Sequence, residues 1–191
     1  MQSTITIGTN LFIHPRLKTD ILVLINADQW LQFPDYNSRW NAFLQLYEAI
    51  MKHPGKQIIL QSYHCEDRLI LLACKWELLQ AQKQELGHRN ILSYPPFVDM
   101  CLFLYKDEIE EKLFSSIHKL HKEILYLQEK WERKDISVIA TPPLIYKLHG
   151  KFRYSILFKG TNLRPFICEI YEKLEIKKRG FLVDRMPVTT L

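Results

Sequence analysis

Glycine is scarce here, six among 191 residues, which excludes collagen-like repeats and glycine-rich linkers. No G-x-x-x-x-G-K-S/T segment occurs, so no loop of backbone amides built to cradle nucleotide phosphates is encoded. The four cysteines, Cys65, Cys74, Cys101 and Cys168, show no C-x-x-C spacing. That argues against an all-cysteine zinc site and a disulfide framework, and leaves free thiols that behave as small apolar side chains. Uncharged apolar runs stop well short of the ~18 residues of a membrane span. Met1 to Ile7 has neither the basic start nor the apolar stretch of a secretory signal. H-E-x-x-H is absent, and His118 and His121 lack a suitably spaced third ligand, so no metal site is expected. Asp20, Asp28 and Asp35 are scattered, and His64-Cys65 lacks a third, orienting group; neither a carboxylate pair nor a nucleophile is readable.

What is present suffices for one domain or one and a half: 47% of residues are hydrophobic and 25% charged. The net charge of +5 is unevenly placed. Between Lys147 and Gly180 nine basic residues face three acidic ones, a net +6, and the rest of the chain carries −1. Tyr146, Phe152, Tyr154, Phe158, Phe166 and Tyr171 interleave with these bases. Such a strand suits nucleic acid, because cations neutralise phosphate and rings stack on unpaired bases. It equally suits a strand whose aromatics face the core while its lysines are merely solvated.

Alternation over 4–9 predicts a short strand, and the apolar run 21–25 a strand buried on both faces of a parallel sheet. Asn26-Ala27-Asp28 then falls at the carboxyl edge, where α/β sheets place ligands. The spacing of Trp40, Phe43, Leu44, Tyr47 and Ile50 predicts a helix over 38–51, and 57–63 reads as a further strand. A helix over 66–86 follows, stopped before Tyr94-Pro95-Pro96-Phe97. From residue 97 the predicted order is strand 97–105, helix 107–132, strands at 136–140, 144–148 and 152–158 around His149-Gly150, helix 162–174 and strand 180–185. That order is the split βαβ, ferredoxin-like pattern, with helices on one face of an antiparallel sheet. Glu108, Glu110 and Glu111 sit where a helix dipole favours acids.

Six segments, in order, resemble one family. Ile5-Thr6-Ile7-Gly8-Thr9-Asn10 is similar to I-x-I-G-T-Q, Asn26-Ala27-Asp28 to D-A-D, and Phe33-Pro34-Asp35-Tyr36 to S-P-D-F. Glu85 and Arg89 stand before Tyr94-Pro95-Pro96-Phe97 as E-x-x-x-R stands before Y-P-P-F. Gly150-Lys151-Phe152-Arg153-Tyr154, running to Lys159, is similar to a glycine followed by a basic-aromatic strand, and Val183-Asp184-Arg185-Met186-Pro187 to a D-x-D-P-like end. Together they resemble the C-terminal region of the PriA family of replication-restart helicases, primosomal protein N-prime. The resemblance implies a partial RecA-like second helicase lobe over 1–64 and a C-terminal DNA-binding domain over 65–191.

The departures bear on activity. Where the family has Q-x-x-G-R-A-G-R, this chain has Glu48 to Gly55, with Lys52 and no arginine. Arginines at such positions raise phosphoryl-transfer rates by roughly 10³–10⁵-fold, and lysine lacks their bidentate fork. Asn26 replaces the first acid of D-A-D, and Met186 the second acid of the end segment. The resemblance therefore implies a DNA-binding and docking module of a replication-restart primosome, inactive as an ATPase by itself and without a catalytic residue. Lys147, Lys151, Arg153, Tyr154 and Lys159 are its expected DNA contacts; Gly8, Thr9 and Asp28 line a degenerate nucleotide cleft. No cofactor is expected in this chain; ATP and Mg²⁺ would enter only with a separately supplied helicase lobe. Implied partners are branched or forked DNA, single-stranded-DNA-binding protein and other primosome proteins, in a cytoplasmic, nucleoid-associated setting away from membranes. Two alternatives stay open: the second half of a split ATP-dependent DNA helicase, or a protein-interaction module with no nucleic-acid role, served by helix 107–132 and by Trp30, Trp40, Trp76 and Trp131.

Overall fold

The computed structural model describes residues 5, 7, 8, 20–32, 35–53 and 57–187. Most of the strand expected over 4–9, including Thr9, lies outside them. The chain is mixed α/β and divides into two units, Met1–Glu85 and Leu86–Leu191. Residues 65–85, which follow the boundary expected at 64/65, lie in the first of these units, where Leu69, Ile70, Leu72, Ala73 and Ala81 join its core.

In the first unit β1 (Ile21–Leu24) pairs in parallel with β2 (Gln57–Leu60), and the crossover between them carries α1 (Ser38–Met51). Apolar residues of α1 at helical spacing bury Phe43, Leu46, Ala49 and Ile50 against Leu24, and against Leu69, Ile70, Leu72 and Ala73 of α2 (Arg68–Cys74). The Asp67 side chain caps α2 by accepting from the Leu69 N–H at 2.9 Å. It is held in turn by Arg39, 2.9 Å away. Strand 21–25 is not buried on both faces as expected. Leu24 points into the core, but Ile21, Val23 and Ile59 are 51%, 50% and 44% exposed. Among the described residues, helices cover one side only of this two-stranded sheet.

The single helix expected over 66–86 is two, α2 and α3 (Leu78–Ile91), and the division between the units falls inside α3. The break is a Schellman motif. Trp76 takes φ +62°, its N–H donates to the Ala73 carbonyl at 3.1 Å, and the Glu77 N–H donates to Leu72 at 2.9 Å.

In the second unit the order is β3 (Asp99–Asp107), α4 (Glu110–Lys130), β4 (Ile136–Thr141), β5 (Lys147–Leu148), β6 (Lys151–Gly160), α5 (Leu163–Lys173) and β7 (Leu182–Asp184). The sheet runs β4-β6-β3-β7, every pair antiparallel, with β5 continuing along β6 beyond β4. Its core joins Leu120, Ile117 and Ile124 of α4 and Phe166, Ile167 and Ile170 of α5 to Cys101, Phe103, Ile156 and Phe158. Both helices thus pack on one face of the sheet. Of the expected strand 144–148 only Lys147 and Leu148 pair in the ladder, with the Tyr146 carbonyl accepting one further bond from the Arg153 N–H at 2.8 Å.

Three further helix ends repeat the closure after α2. Ser93, Glu132 and Glu175 follow α3, α4 and α5 with φ of +52°, +54° and +49°. After each, the next N–H reaches back five residues: Tyr94 to Arg89 at 2.8 Å, Arg133 to Gln128 at 3.0 Å and Ile176 to Tyr171 at 3.1 Å. Beyond α4, Arg133 grips Asp135 with two hydrogen bonds of 2.8 Å. It also donates to the carbonyls of Thr161 and Asn162, at 3.1 and 3.2 Å, tying the α4–β4 turn to the β6–α5 turn. This guanidinium holds the Asp135 carboxyl below its usual range.

Candidate nucleic-acid interface

The basic-aromatic stretch forms the β5–β6 hairpin and the body of β6. His149 and Gly150, at φ +49° and +78°, make a two-residue turn of the type that matches strand twist. The register of β6 against β3 is unbroken from Phe152 to Gly160. With side chains alternating, Lys151, Arg153 and Lys159 share one face, and Tyr154 is on the other, the helix side. There the Tyr154 ring meets Phe114 of α4 edge-on, 5.6 Å between centroids. Tyr154 is therefore partly packed, not paired with the lysines on a common surface.

The other bases are held as follows. Lys147 Nζ lies 4.2 Å from the centre of the Phe152 ring. Phe152 is 5.6 Å from Tyr146, whose hydroxyl donates to Glu110 Oε1 at 2.7 Å. Burial, with the Glu110 carboxylate, pushes the Tyr146 hydroxyl up to about 12. Lys151 is exposed and 3.5 Å from Glu108, a loose pair of little cohesive value. Arg153 donates from Nη1 to the Ile145 carbonyl at 3.3 Å, bracing the approach to β5. Lys159 stands eight residues beyond Lys151, roughly 26 Å along the strand. Its ammonium donates to the Leu92 carbonyl at 2.9 Å and sits 3.8 Å from the Tyr94 ring centre. Burial there pulls the Lys159 pKa down. Lys147, directly opposite Phe152, shares the Phe152 and Tyr154 face, so the hairpin places Lys151 and Arg153 on one face and Lys147 on the other, and leaves Lys159 apart.

In the first unit the 3₁₀ turn Ala27–Trp30 carries Asp28, which is buried. Burial raises its carboxyl, but three hydrogen bonds together outweigh that and hold it below the usual value: Tyr63 N–H at 2.7 Å, the Ser62 hydroxyl at 2.8 Å and His64 N–H at 3.2 Å. Both carboxylate oxygens are occupied in fastening the loop after β2. Gly8 is exposed, and Thr9 lies outside the described residues.

No family model matches the chain. Among curated proteins it is similar to the replication restart protein PriA of Chlamydia pneumoniae, 24% identical over 179 residues, 89% of this chain and 23% of that protein. PriA of Borreliella burgdorferi is 24% identical over an alignment of 200 positions, covering 98% of this chain and 29% of the relative. PriA of Chlamydia trachomatis is 26% identical over 181 residues, 88% of this chain and 23% of the relative. The chain is similar to PriA over nearly all its length. It spans only about a quarter of the relatives it matches.

Two of the PriA-like motifs meet in space. Arg89 Nη1 donates to the Pro95 carbonyl at 3.2 Å, so the E-x-x-x-R element grips the Tyr94-Pro95-Pro96-Phe97 turn. Lys159, the end of the basic-aromatic strand, closes on the same turn through Leu92 and Tyr94. The third, the end segment, contributes β7, which pairs with β3 at Leu102↔Asp184. These PriA-like residues do scaffold work. Sequence reasoning missed that role for Lys159, because charge alone does not distinguish a phosphate contact from a cation seated on a ring. It also missed Tyr146 and Phe114 as supports of the hairpin; the tyrosine was noted only as one of an interleaved set.

Proposed function

We propose that this chain is a DNA-binding and docking module of a replication-restart primosome, corresponding to the C-terminal part of PriA, with no ATPase activity of its own. The observation that carries the reading is collinear similarity to PriA over 89% of the chain but 23% of the relative. The strand order β4-β6-β3-β7, with α4 and α5 on one face, supports a ferredoxin-like C-terminal domain. The parallel β1–β2 pair with its helical crossover supports a partial RecA-like lobe. In this reading DNA is branched or forked, and Lys147, Lys151 and Arg153 neutralise its phosphates. Lys159 belongs to the scaffold and Tyr154 to the packed face. Docking partners are single-stranded-DNA-binding protein and other primosome proteins. ATP and Mg²⁺ belong to a separately supplied helicase lobe.

The test is fluorescence anisotropy of labelled forked DNA and a matched linear duplex across a salt series, with the whole chain and a Lys151→Ala/Arg153→Ala variant. The expected result is fork binding whose log affinity falls linearly with log salt, the slope shrinking by roughly 0.9 per phosphate contact removed. Absence of binding at low salt refutes the reading. So does DNA-stimulated ATP hydrolysis that persists through purification, for the inactive part of it.

A further inference from the structure

We propose that Lys106 of β3 joins Arg153 and Lys151 of β6 in a three-cation seat for DNA backbone phosphates, on the face of the sheet turned away from α4 and α5. The proposal rests on the DNA-binding reading above. It adds a contact residue from a second strand, one that neither the basic segment 147–180 nor the PriA-like motifs contain.

The register sets the geometry. Lys106 stands directly opposite Arg153 in the antiparallel β3–β6 ladder. Directly opposed residues share a face and hold their Cβ atoms about 4.5–5.5 Å apart. Tyr105 and Tyr154, which neighbour this pair, pack on the helix-side core, so Lys106 and Arg153 point the other way. Lys151, two residues before Arg153, lies on that same face, roughly 7 Å along the strand.

Like charges directly opposite one another work against the fold, and the acids nearby are engaged elsewhere. Asp107 is opposite Phe152, on the helix side, where the Ile109 N–H, the Tyr105 hydroxyl and Lys112 hold it. Glu108 is 3.5 Å from Lys151. Asp184 shares the face of Lys106 but sits opposite Leu102, roughly 13 Å back along β3. Among the described residues Lys106 has no ion pair. Its side chain is exposed, while Arg153 is half-buried and donates from Nη1 to the Ile145 carbonyl at 3.3 Å. A guanidinium already held in place has less freedom to lose on binding. The repulsion between the two cations is a cost to the free protein that an anion seated between them removes. A phosphate carries that charge, and arginine presents the fork that fits it.

The experiment records forked-DNA anisotropy across a salt series, and melting without DNA, for the whole chain and for Lys106→Gln, Lys106→Arg and Lys119→Gln. Glutamine keeps most of the stem and removes the charge. Lys106→Gln should shrink the salt slope by roughly 0.9 and weaken binding roughly eightfold at about 0.1 M salt. Without DNA the same variant should melt at or above the wild-type temperature, because the repulsion is relieved. Lys106→Arg should keep the wild-type slope. Lys119 is exposed on α4, in the opposite layer, and its glutamine variant should keep the slope too. Three results overturn the seat while the DNA reading stands: a Lys106→Gln slope equal to wild type, a Lys106→Gln melt below wild type, or an equal loss of slope in Lys119→Gln. Failure of the wild type to bind DNA at low salt overturns both.

Discussion

Replacing Glu132 and Glu175 by glycine should make the protein more stable, although neither substitution adds a contact. Both residues occupy the left-handed position that closes a helix, at φ +54° and +49°. A side chain there crowds the following carbonyl and costs about 1–2 kcal/mol relative to a residue without Cβ. Glycine gives back roughly 0.5–1 kcal/mol through its greater freedom in the unfolded chain. The net gain is about 0.5–1 kcal/mol per site. Glu132 is the cleaner probe, because Glu175 also pairs with Lys178 on the surface, an interaction worth roughly 0–1 kcal/mol. The two sites lie on different helices and share no hydrogen bond, so the double variant should gain on the order of 1–2 kcal/mol. For a unit of this size that raises Tm by roughly 4–8 °C. Calorimetry or a urea titration reads the difference directly. Alanine at the same positions keeps the strained Cβ and should give no gain. A glycine variant that melts at or below the parent temperature, or an alanine variant that gains as much, refutes the strain argument.

Gly160→Ala should act in the opposite direction. A Cβ there would lie 2.8 Å from the Asp135 carbonyl and 3.0 Å from Ile136, backbone that cannot step aside, so a loss of about 1–3 kcal/mol is expected in urea melts. Lys159→Ala should lower stability by about 1–2 kcal/mol through its lost ring contact and carbonyl hydrogen bond, while leaving the salt slope of DNA binding unchanged; a slope that falls as much as in Lys151→Ala returns Lys159 to the interface. Asp28 is held below its usual value of 3.8, so its contribution is present above that pH and drains away as pH falls through the lower folded value. Asp28→Asn should flatten the acid side of the stability profile in urea midpoints between about pH 5 and pH 2; an unchanged acid limb would refute the assignment.

The sequence was most legible where one signal sufficed. The spacing of Leu113, Ile117, Leu120 and Ile124 predicts α4, and His149-Gly150 predicts a hairpin turn. It was least legible at helix ends. Trp76 carries no sign of a left-handed residue, since glycine or asparagine is the usual marker, and so α2 and α3 read as one helix. In a chain with six glycines, such closures fall to residues that give no warning. The apolar run at 21–25 misled differently. Composition registers how apolar a strand is, not how many faces neighbouring elements cover. At the candidate interface the alternation of β6 already separated Tyr154 from Lys151 and Arg153. What it could not give was the partner of each cation, and those partners divide Lys159 from the hairpin.

The small sheet of the first unit has a consequence for handling the protein. Among the described residues β1 and β2 pair only with each other, so no other described strand takes up their outer amides and carbonyls, beside exposed Ile21, Val23 and Ile59. That combination is a template for another strand. In a concentrated preparation it favours slow self-association through backbone pairing, which salt does not screen. A lysine at Val23, pointing to water, is the type of gatekeeper that keeps such an edge monomeric.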